Sequence, residues 1–295
     1  MTEPSSLQLS PIVAGVWRMA EWNFDVDQRR DWIHQALELG IDSFDHADIY
    51  GDYQVESLFG EALAAEPGLR EKIKIVSKCG IKLTSTQRPA HRIKSYDTSR
   101  EHVLASVENS LRALRTDRLD LLLIHRPDLL MDADALARVF EDLKAAGKVL
   151  HVGVSNHTPA QLALLQSRHQ LATHQIELSP LHLAPLDDGT LEQCQQLAMR
   201  PMIWSPLGGG RLFGDGDAVA VQVREVLAAV GARHAGASVA TMAYAWLLRH
   251  PSRPWPITGS GRVQGLRDAV DALAIKLSAE DWYEIWQAAA QREVA

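Results

Sequence analysis

The stretch Leu119-Asp120-Leu121-Leu122-Leu123-Ile124-His125 is followed by an amphipathic segment from Asp132 to Ala146, then Gly147, then Val149-Leu150-His151-Val152-Gly153-Val154-Ser155-Asn156. Two short apolar runs flank a longer segment of helical period that stops at a glycine. This order predicts two parallel strands joined by a right-handed helical crossover. The pattern recurs on both sides. Ile12-Val13-Ala14, Ile41 to Phe44 and Ile73 to Val76 come before it. His174-Gln175-Ile176, Met202-Ile203-Trp204 and Trp255-Pro256-Ile257 come after it. Helical patterns fill the gaps: Asp27 to Leu39 before Gly40, Ser99 to Leu114, a segment opened by Thr158-Pro159, Val239 to Leu248, Val263 to Ala274, and Ser278 to Ala290. Eight strand candidates in 295 residues favour an α/β (β/α)8 TIM barrel, parallel and eight-stranded, over an open sheet. Two long βα loops, Cys79 to Asp97 and Pro206 to Asp217, belong on its catalytic face.

The composition is that of a globular protein, 46% apolar and 23% charged. No linker-like shift, repeat or low-complexity segment divides it, so residues 1–295 are expected to form a single domain. Thirty Lys and Arg against 37 Asp and Glu give net −7. That argues against nucleic acid or an anionic membrane as main partner. Cys79 and Cys194 suit neither a disulfide framework nor a zinc ribbon, and fit a reducing compartment. Met1 to Ser6 lacks a signal-like basic and apolar pattern. The expected location is the cytoplasm. The expected partner is a small molecule, with the chain a monomer or weak homo-oligomer.

Chemistry in such a barrel sits at the carboxyl ends of the strands. There the sequence places Asp45 to Gly51, Ser77-Lys78, His125, Ser155-Asn156, Gln175, and Ser205 to Gly210. A strand end needs no polar side chain for stability, so six in succession suggest a polar cavity. Asp, Tyr, Lys and His together suit carbonyl reduction. A phenol near pKa 10 is a weak acid at neutral pH. An ammonium at Lys78 would lower the pKa of Tyr50, Asp45 would hold that ammonium, and His125 would orient the carbonyl.

At these residues the chain resembles the aldo-keto reductases. The resemblance rests on Phe44-Asp45-His46-Ala47-Asp48-Ile49-Tyr50-Gly51, Val76-Ser77-Lys78, Leu121 to Asp128, Gly147-Lys148, Val152 to Asn156, Gln175-Ile176-Glu177 and Trp204 to Gly210, and runs from about residue 7 to 285. Ser77 to Gly80, Met131 to Asp134 and Gly208 to Phe213 look closest to the bacterial YdhF-type oxidoreductases. The resemblance implies a tetrad of Asp45, Tyr50, Lys78 and His125, with Tyr50 as acid/base. It implies that Ser155, Asn156 and Gln175 hydrogen-bond a nicotinamide carboxamide and that Trp204 stacks on its ring. Ser205, Leu207, Gly208 and Gly210 would line the pyrophosphate, and Gly259, Ser260 and Arg262 the adenosine phosphate. Trp17 and Trp22 would wall the substrate pocket. NADPH is the expected cofactor, with NADH kept open. Asp268-Ala269 and Gly265 depart from the family pattern there, and Arg262 or Arg267 could compensate.

Each feature also has a plainer reading. Trp204 could be a core residue, the glycines a flexible connector, the two tryptophans a hydrophobic rim, and His46 packing. A cofactor-binding regulatory or interaction protein, like the channel β-subunits that resemble this family, is the alternative function. A metal hydrolase using Asp45, His46, Asp48 and His125 lacks an H-x-H or H-E-x-x-H motif, and no metal is expected.

Overall fold

A computed structural model describes residues 7–295. The stretch Met1 to Ser6, read above for a leader, lies outside the described residues. Ten strands form among those described: β1 (Val13–Gly15), β2 (Ser43–Asp45), β3 (Lys74–Cys79), β4 (Ile81–Lys82), β5 (Ser95–Tyr96), β6 (Leu119–Ile124), β7 (Val149–Ser155), β8 (His174–Glu177), β9 (Met202–Trp204) and β10 (Trp255–Thr258). Eight close a barrel in the order β1-β10-β9-β8-β7-β6-β3-β2, and the other two, β4 and β5, pair as a small antiparallel ribbon. Each of the eight apolar runs is a barrel strand. The ribbon lies in the Cys79 to Asp97 loop, where no period was legible.

The helices are α1 (Val26–Glu38), the single turn α2 (Tyr50–Tyr53), α3 (Val55–Ala65), α4 (Arg100–Leu114), α5 (Ala133–Ala145), α6 (Pro159–Gln166), α7 (Thr190–Gln196), α8 (Ala218–Arg233), α9 (Val239–Leu248), α10 (Val263–Asp271) and α11 (Ala279–Ala290). Their starts are chemical. Asp25 and Thr158 form reciprocal capping boxes with Gln28 and Gln161, and Pro159 supplies a preset first-turn φ. Ser99, Asp132, Asp217, Ser238 and Ser278 each accept a first-turn amide, a bond worth about 1 kcal/mol per cap.

The chain divides into two compact units at the His174/Gln175 junction. In the first, register sets direction. Lys78 pairs with Leu123 and Asp45 with Val76. Leu121 to Ile124 are buried on both faces, as a parallel sheet between core and helices requires. In the second, α9 and α11 meet through two tryptophans. The rings of Trp246 and Trp282 stack with centroids 5.0 Å apart. Each indole N–H donates to the other residue's carbonyl, at 3.2 and 3.0 Å.

Candidate active site

The strand geometry delivers four polar side chains to one place in the first unit. Side chains alternate across a strand. Lys78 therefore points one way from β3 and its neighbour Ser77 the other. The Lys78 ammonium is fully buried and donates to Asp45 Oδ2 at 2.7 Å, the His46 carbonyl at 2.7 Å and the Tyr50 hydroxyl at 3.0 Å. The Tyr50 ring meets the His125 ring edge-on, with centroids 5.9 Å apart. His125, just beyond β6, is fixed by its amide donating to the Cys79 carbonyl.

Burial sets the proton affinities. It is the largest influence on Lys78 and opposes the ammonium. Asp45 and Tyr50 together outweigh it, and the Lys78 pKa rises. Burial is also the largest influence on Tyr50, and there it wins. Lys78 and Arg126 pull the phenol down, yet its pKa lies above the ordinary 10.0. The sequence-based expectation of a lowered phenol is thus corrected: desolvation of a phenolate exceeds the help from the ammonium. Burial, then Lys78 and Arg126, push His125 well below its usual value. Its imidazole is neutral, and its buried Nδ1 has no partner.

Beyond β7, Asn156 adopts φ +59°. Its amide donates to Ser155 Oγ at 2.7 Å and lies 3.4 Å from the His125 carbonyl. Ser155 is buried.

In the second unit, Gln175 is buried on β8, and its Nε2 lies 3.8 Å from Met202 Sδ. Trp204 ends β9 half-buried, and Ser205 follows at φ +52°. Gly208, Gly209 and Gly210 sit at φ +59°, +66° and +101°. The Gly208 and Gly210 amides donate to the Ser205 and Leu207 carbonyls at 2.8 and 3.1 Å. At the start of α10, Ser260 Oγ accepts the Arg262 amide at 3.1 Å. A Cβ on Gly265 would lie 2.4 Å from that oxygen. The glycine at 265 is therefore what lets the 260 turn settle onto the helix. Gly259 and Arg262 are exposed, as is Arg267, and neither arginine has an ion-pair partner among the described residues. Ala269 is buried, while Asp268 accepts from Ser238 and Gln264.

Comparison with known proteins identifies the family and the fold. The model of the Aldo/keto reductase family matches residues 11–290. This chain belongs to the aldo/keto reductase family. Oxidoreductase YdhF of Escherichia coli is 51% identical over 97% of the chain and 95% of its own length. A 6-dehydroglucose reductase of Agrobacterium fabrum is 42% identical, over 98% and 97%. A solved aldo/keto reductase from Klebsiella pneumoniae, in complex with NADP and acetate, superposes with TM-score 0.77 at 26% identity, over 96% and 93%. The chain is thus an oxidoreductase of a family that reduces small carbonyl compounds with nicotinamide nucleotides.

In this aldo/keto reductase the two predicted pocket tryptophans differ. Trp17 is 55% exposed, under the Arg18 guanidinium. Trp22 is half-buried against Trp32 and Phe24. His46 is fully buried with neither ring nitrogen partnered, its edge on Phe59. Both cysteines are free and buried. No group of three or more His, Cys, Asp or Glu among the described residues could hold a metal, and no helix among them is long and apolar enough to cross a membrane.

Three features of the reductase were not read from sequence. Ser77, turned away from Lys78, donates at 2.6 Å to Glu56 of α3. Burial raises Glu56 to about 7 and Asp48 well above its usual value. The third is the backbone after Tyr50. Gly51, Asp52 and Tyr53 take φ +56°, +55° and +66°, a left-handed turn. A Cβ at Gly51 would meet Val55 Cγ2 at 2.8 Å and Ala20 Cβ at 3.0 Å. Asp52 and Tyr53 lack glycine's freedom, at a cost of about 1–2 kcal/mol each. A YG dipeptide signals such a turn only at its first position.

Proposed function

We propose that this aldo/keto reductase reduces an aldehyde or ketone to the alcohol with NADPH, with Tyr50 as general acid. The observation that carries the reading is the triple contact of the buried Lys78 ammonium with Asp45, the His46 carbonyl and the Tyr50 hydroxyl. A reduced nicotinamide, held by Ser155, Asn156, Gln175 and Trp204, would supply the hydride that the carbonyl carbon takes up. Tyr50 gives its hydroxyl proton to the carbonyl oxygen as charge develops there. The phenolate left behind faces a fixed ammonium, so its charge is neutralised without solvent reorganisation. Solvent then returns a proton to Tyr50. Neutral His125 donates a hydrogen bond to the same oxygen and orients it. All of residues 1–295 are taken as one aldo/keto reductase domain.

The chain's residues fit the nucleotide. Ser155, Asn156 and Gln175 bring hydroxyl and amide groups suited to a carboxamide. Trp204 offers a half-exposed ring. Gly209, Gly210 and Gly259 are exposed, and a Cβ at 210 or 259 would meet nothing within 4 Å. Bare backbone of this kind admits phosphate. The Gly208 and Gly210 amides already donate within their loop, so phosphate binding there needs the turn to open or Ser205 to donate instead. Arg262 precedes α10, where the helix dipole and its guanidinium both favour an adenosine 2′-phosphate. Two buried thiols suit a reducing compartment such as the cytoplasm. The relative named for 6-dehydroglucose makes hydroxylated aldehydes the first substrates to try.

One experiment tests the whole reading. Titration with NADPH should quench tryptophan emission equally in wild type and Tyr50→Phe, while the variant loses about 10³-fold in turnover on a panel of aldehydes. Turnover retained by the variant would remove Tyr50 as the acid. A wild type that binds neither nucleotide would remove the reductase itself.

A further inference from the structure

We infer that Tyr53 is a positioning residue for Tyr50: pinned to the 83–91 loop, it holds the left-handed turn that aims the Tyr50 phenol at Lys78. The inference rests on the proposed role of Tyr50.

Three observations carry it. The first is the turn. Gly51, Asp52 and Tyr53 are consecutive residues at positive φ, immediately after Tyr50. L residues visit that region singly, and a run of three is held only by its surroundings. Glycine explains position 51. Aspartate tolerates the left-handed region better than most residues, but a bulky tyrosine does not, so Tyr53 carries most of the strain.

The second is what holds it. The Tyr53 hydroxyl accepts the Leu83 amide at 2.9 Å, across a separation of 30 residues. The Arg88 guanidinium lies over the Tyr53 ring at 4.5 Å, and the His91 ring stands edge-on at 6.5 Å. His91 Nδ1 also meets the Leu83 carbonyl at 3.0 Å, so both polar groups of Leu83 are used in one clamp. Cation–π contact and a neutral hydrogen bond of this sort offset a turn that would otherwise relax.

The third is the connection to Tyr50. The Tyr50 carbonyl accepts the Gln54 amide at 3.1 Å, spanning the turn, and the Tyr53 amide reaches back to the Ile49 carbonyl at 3.4 Å. Tyr50 is thus bracketed by the turn on both sides in sequence. Reversing φ at 52 or 53 would break both bonds and swing the Tyr50 Cα. The 3.0 Å contact between the phenol and Lys78 would not survive a displacement of an ångström. Among the described residues Tyr53 meets Leu83, Arg88 and His91 and neither Lys78 nor His125, so it acts through Tyr50.

The test uses the full chain with NADPH and an aldehyde it reduces, in four proteins: wild type, Tyr53→Phe, Asp52→Gly and the double variant. Tyr53→Phe removes only the acceptor oxygen. Its kcat should fall by about tenfold, with nucleotide Kd unchanged. Asp52→Gly makes positive φ cost-free, so it should have near-wild-type kcat. In the double variant kcat should return to within about twofold of Asp52→Gly, because a turn relieved at position 52 carries less strain and needs less clamping at 53. A merely structural tyrosine would lower thermal stability and would not be rescued in kcat. Tyr53→Phe with wild-type kcat overturns the inference, and so does a loss that Asp52→Gly fails to rescue. A rise in KM with unchanged kcat also overturns it, since that would put Tyr53 in substrate binding. Tyr50→Phe, run alongside, keeps the two readings apart: if it stays active, the assignment of Tyr50 fails first. If Tyr53→Phe does not fold, Arg88→Met removes the cation and leaves the tyrosine. It should lower kcat by about threefold, rescued by the same glycine, and an unchanged kcat there overturns the inference equally.

Discussion

The surroundings of Lys78 and those of Gly208 to Gly210 are built on opposite terms. Lys78 has no exposure and three oxygens within 3.0 Å. Gly209 and Gly210 are exposed, and a side chain at 210 would meet nothing. A charge that must be in place before the reaction gains by being dry and tied, because no water has to reorganise around it. Gly208 packs against Leu181, while bare backbone at 209 and 210 is what a loop admitting a ligand would gain by. On the proposed reading, preorganised chemistry and accommodating binding fall to separate stretches of one chain.

Four measurements bear on that contrast. The largest effect is expected at Lys78→Met. It leaves Asp45 buried without its cation, a loss of about 3–5 kcal/mol of stability read by chemical denaturation. It also removes the ammonium's pull on the Tyr50 pKa and leaves only the weaker one from Arg126. Alcohol oxidation, which needs phenolate, should then shift to higher pH. An unchanged profile would show that the ammonium does not tune the phenol.

Next comes acid. Burial holds His46 at about 3, His157 at about 4, His174 at about 3, and His125 well below 6.5. Each binds its proton more readily unfolded than folded. Each therefore contributes stability that is present above pH 6.5 and lost as pH falls toward the folded value. Glu56 and Asp48 work in the other sense. Their folded pKa values are raised, so their contribution is lost as pH rises. Four groups outweigh two. Stability should fall as pH drops from 6.5 to 5, the slope steepening to about 3 kcal/mol per unit at the acid end. A flat or rising curve there would mean that the buried histidines gain partners on protonation.

Gly265→Ala is smaller. It drives a Cβ into Ser260, at about 1–3 kcal/mol, and calorimetry should find weaker nucleotide binding with kcat at saturation unchanged. Smallest is Arg262→Ala. It should weaken NADPH by about tenfold, or 1.4 kcal/mol, and leave NADH alone. Equal loss for both would move the 2′-phosphate contact elsewhere, with Arg267 the next to try.

Much of this was legible in the sequence. The barrel strands announce themselves because Leu121 to Ile124 and their counterparts are buried on both faces and read as unbroken apolar runs. Asp45, Lys78 and His125 are legible because the core has no use for a polar strand end. Other parts were hidden for physical reasons. Helix α3 begins straight after a left-handed turn, without a capping side chain. Helix α8 is rich in Ala and Val on all sides, so its period is weak. The β4–β5 ribbon has two residues per strand and is held by the Lys82–Asp97 pair at 3.3 Å. The direction of the Tyr50 shift depends on how dry the site is. Residue types reveal the ammonium and say nothing of the burial that overrides it.

The indoles of Trp246 and Trp282 lie 5.0 Å apart and 8° from parallel. Transition dipoles so placed couple strongly, and the pair joins the last helix to α9. The C-terminal helix therefore carries its own optical reporter. Its detachment would appear as the collapse of an exciton band in circular dichroism, whatever the state of the nicotinamide site.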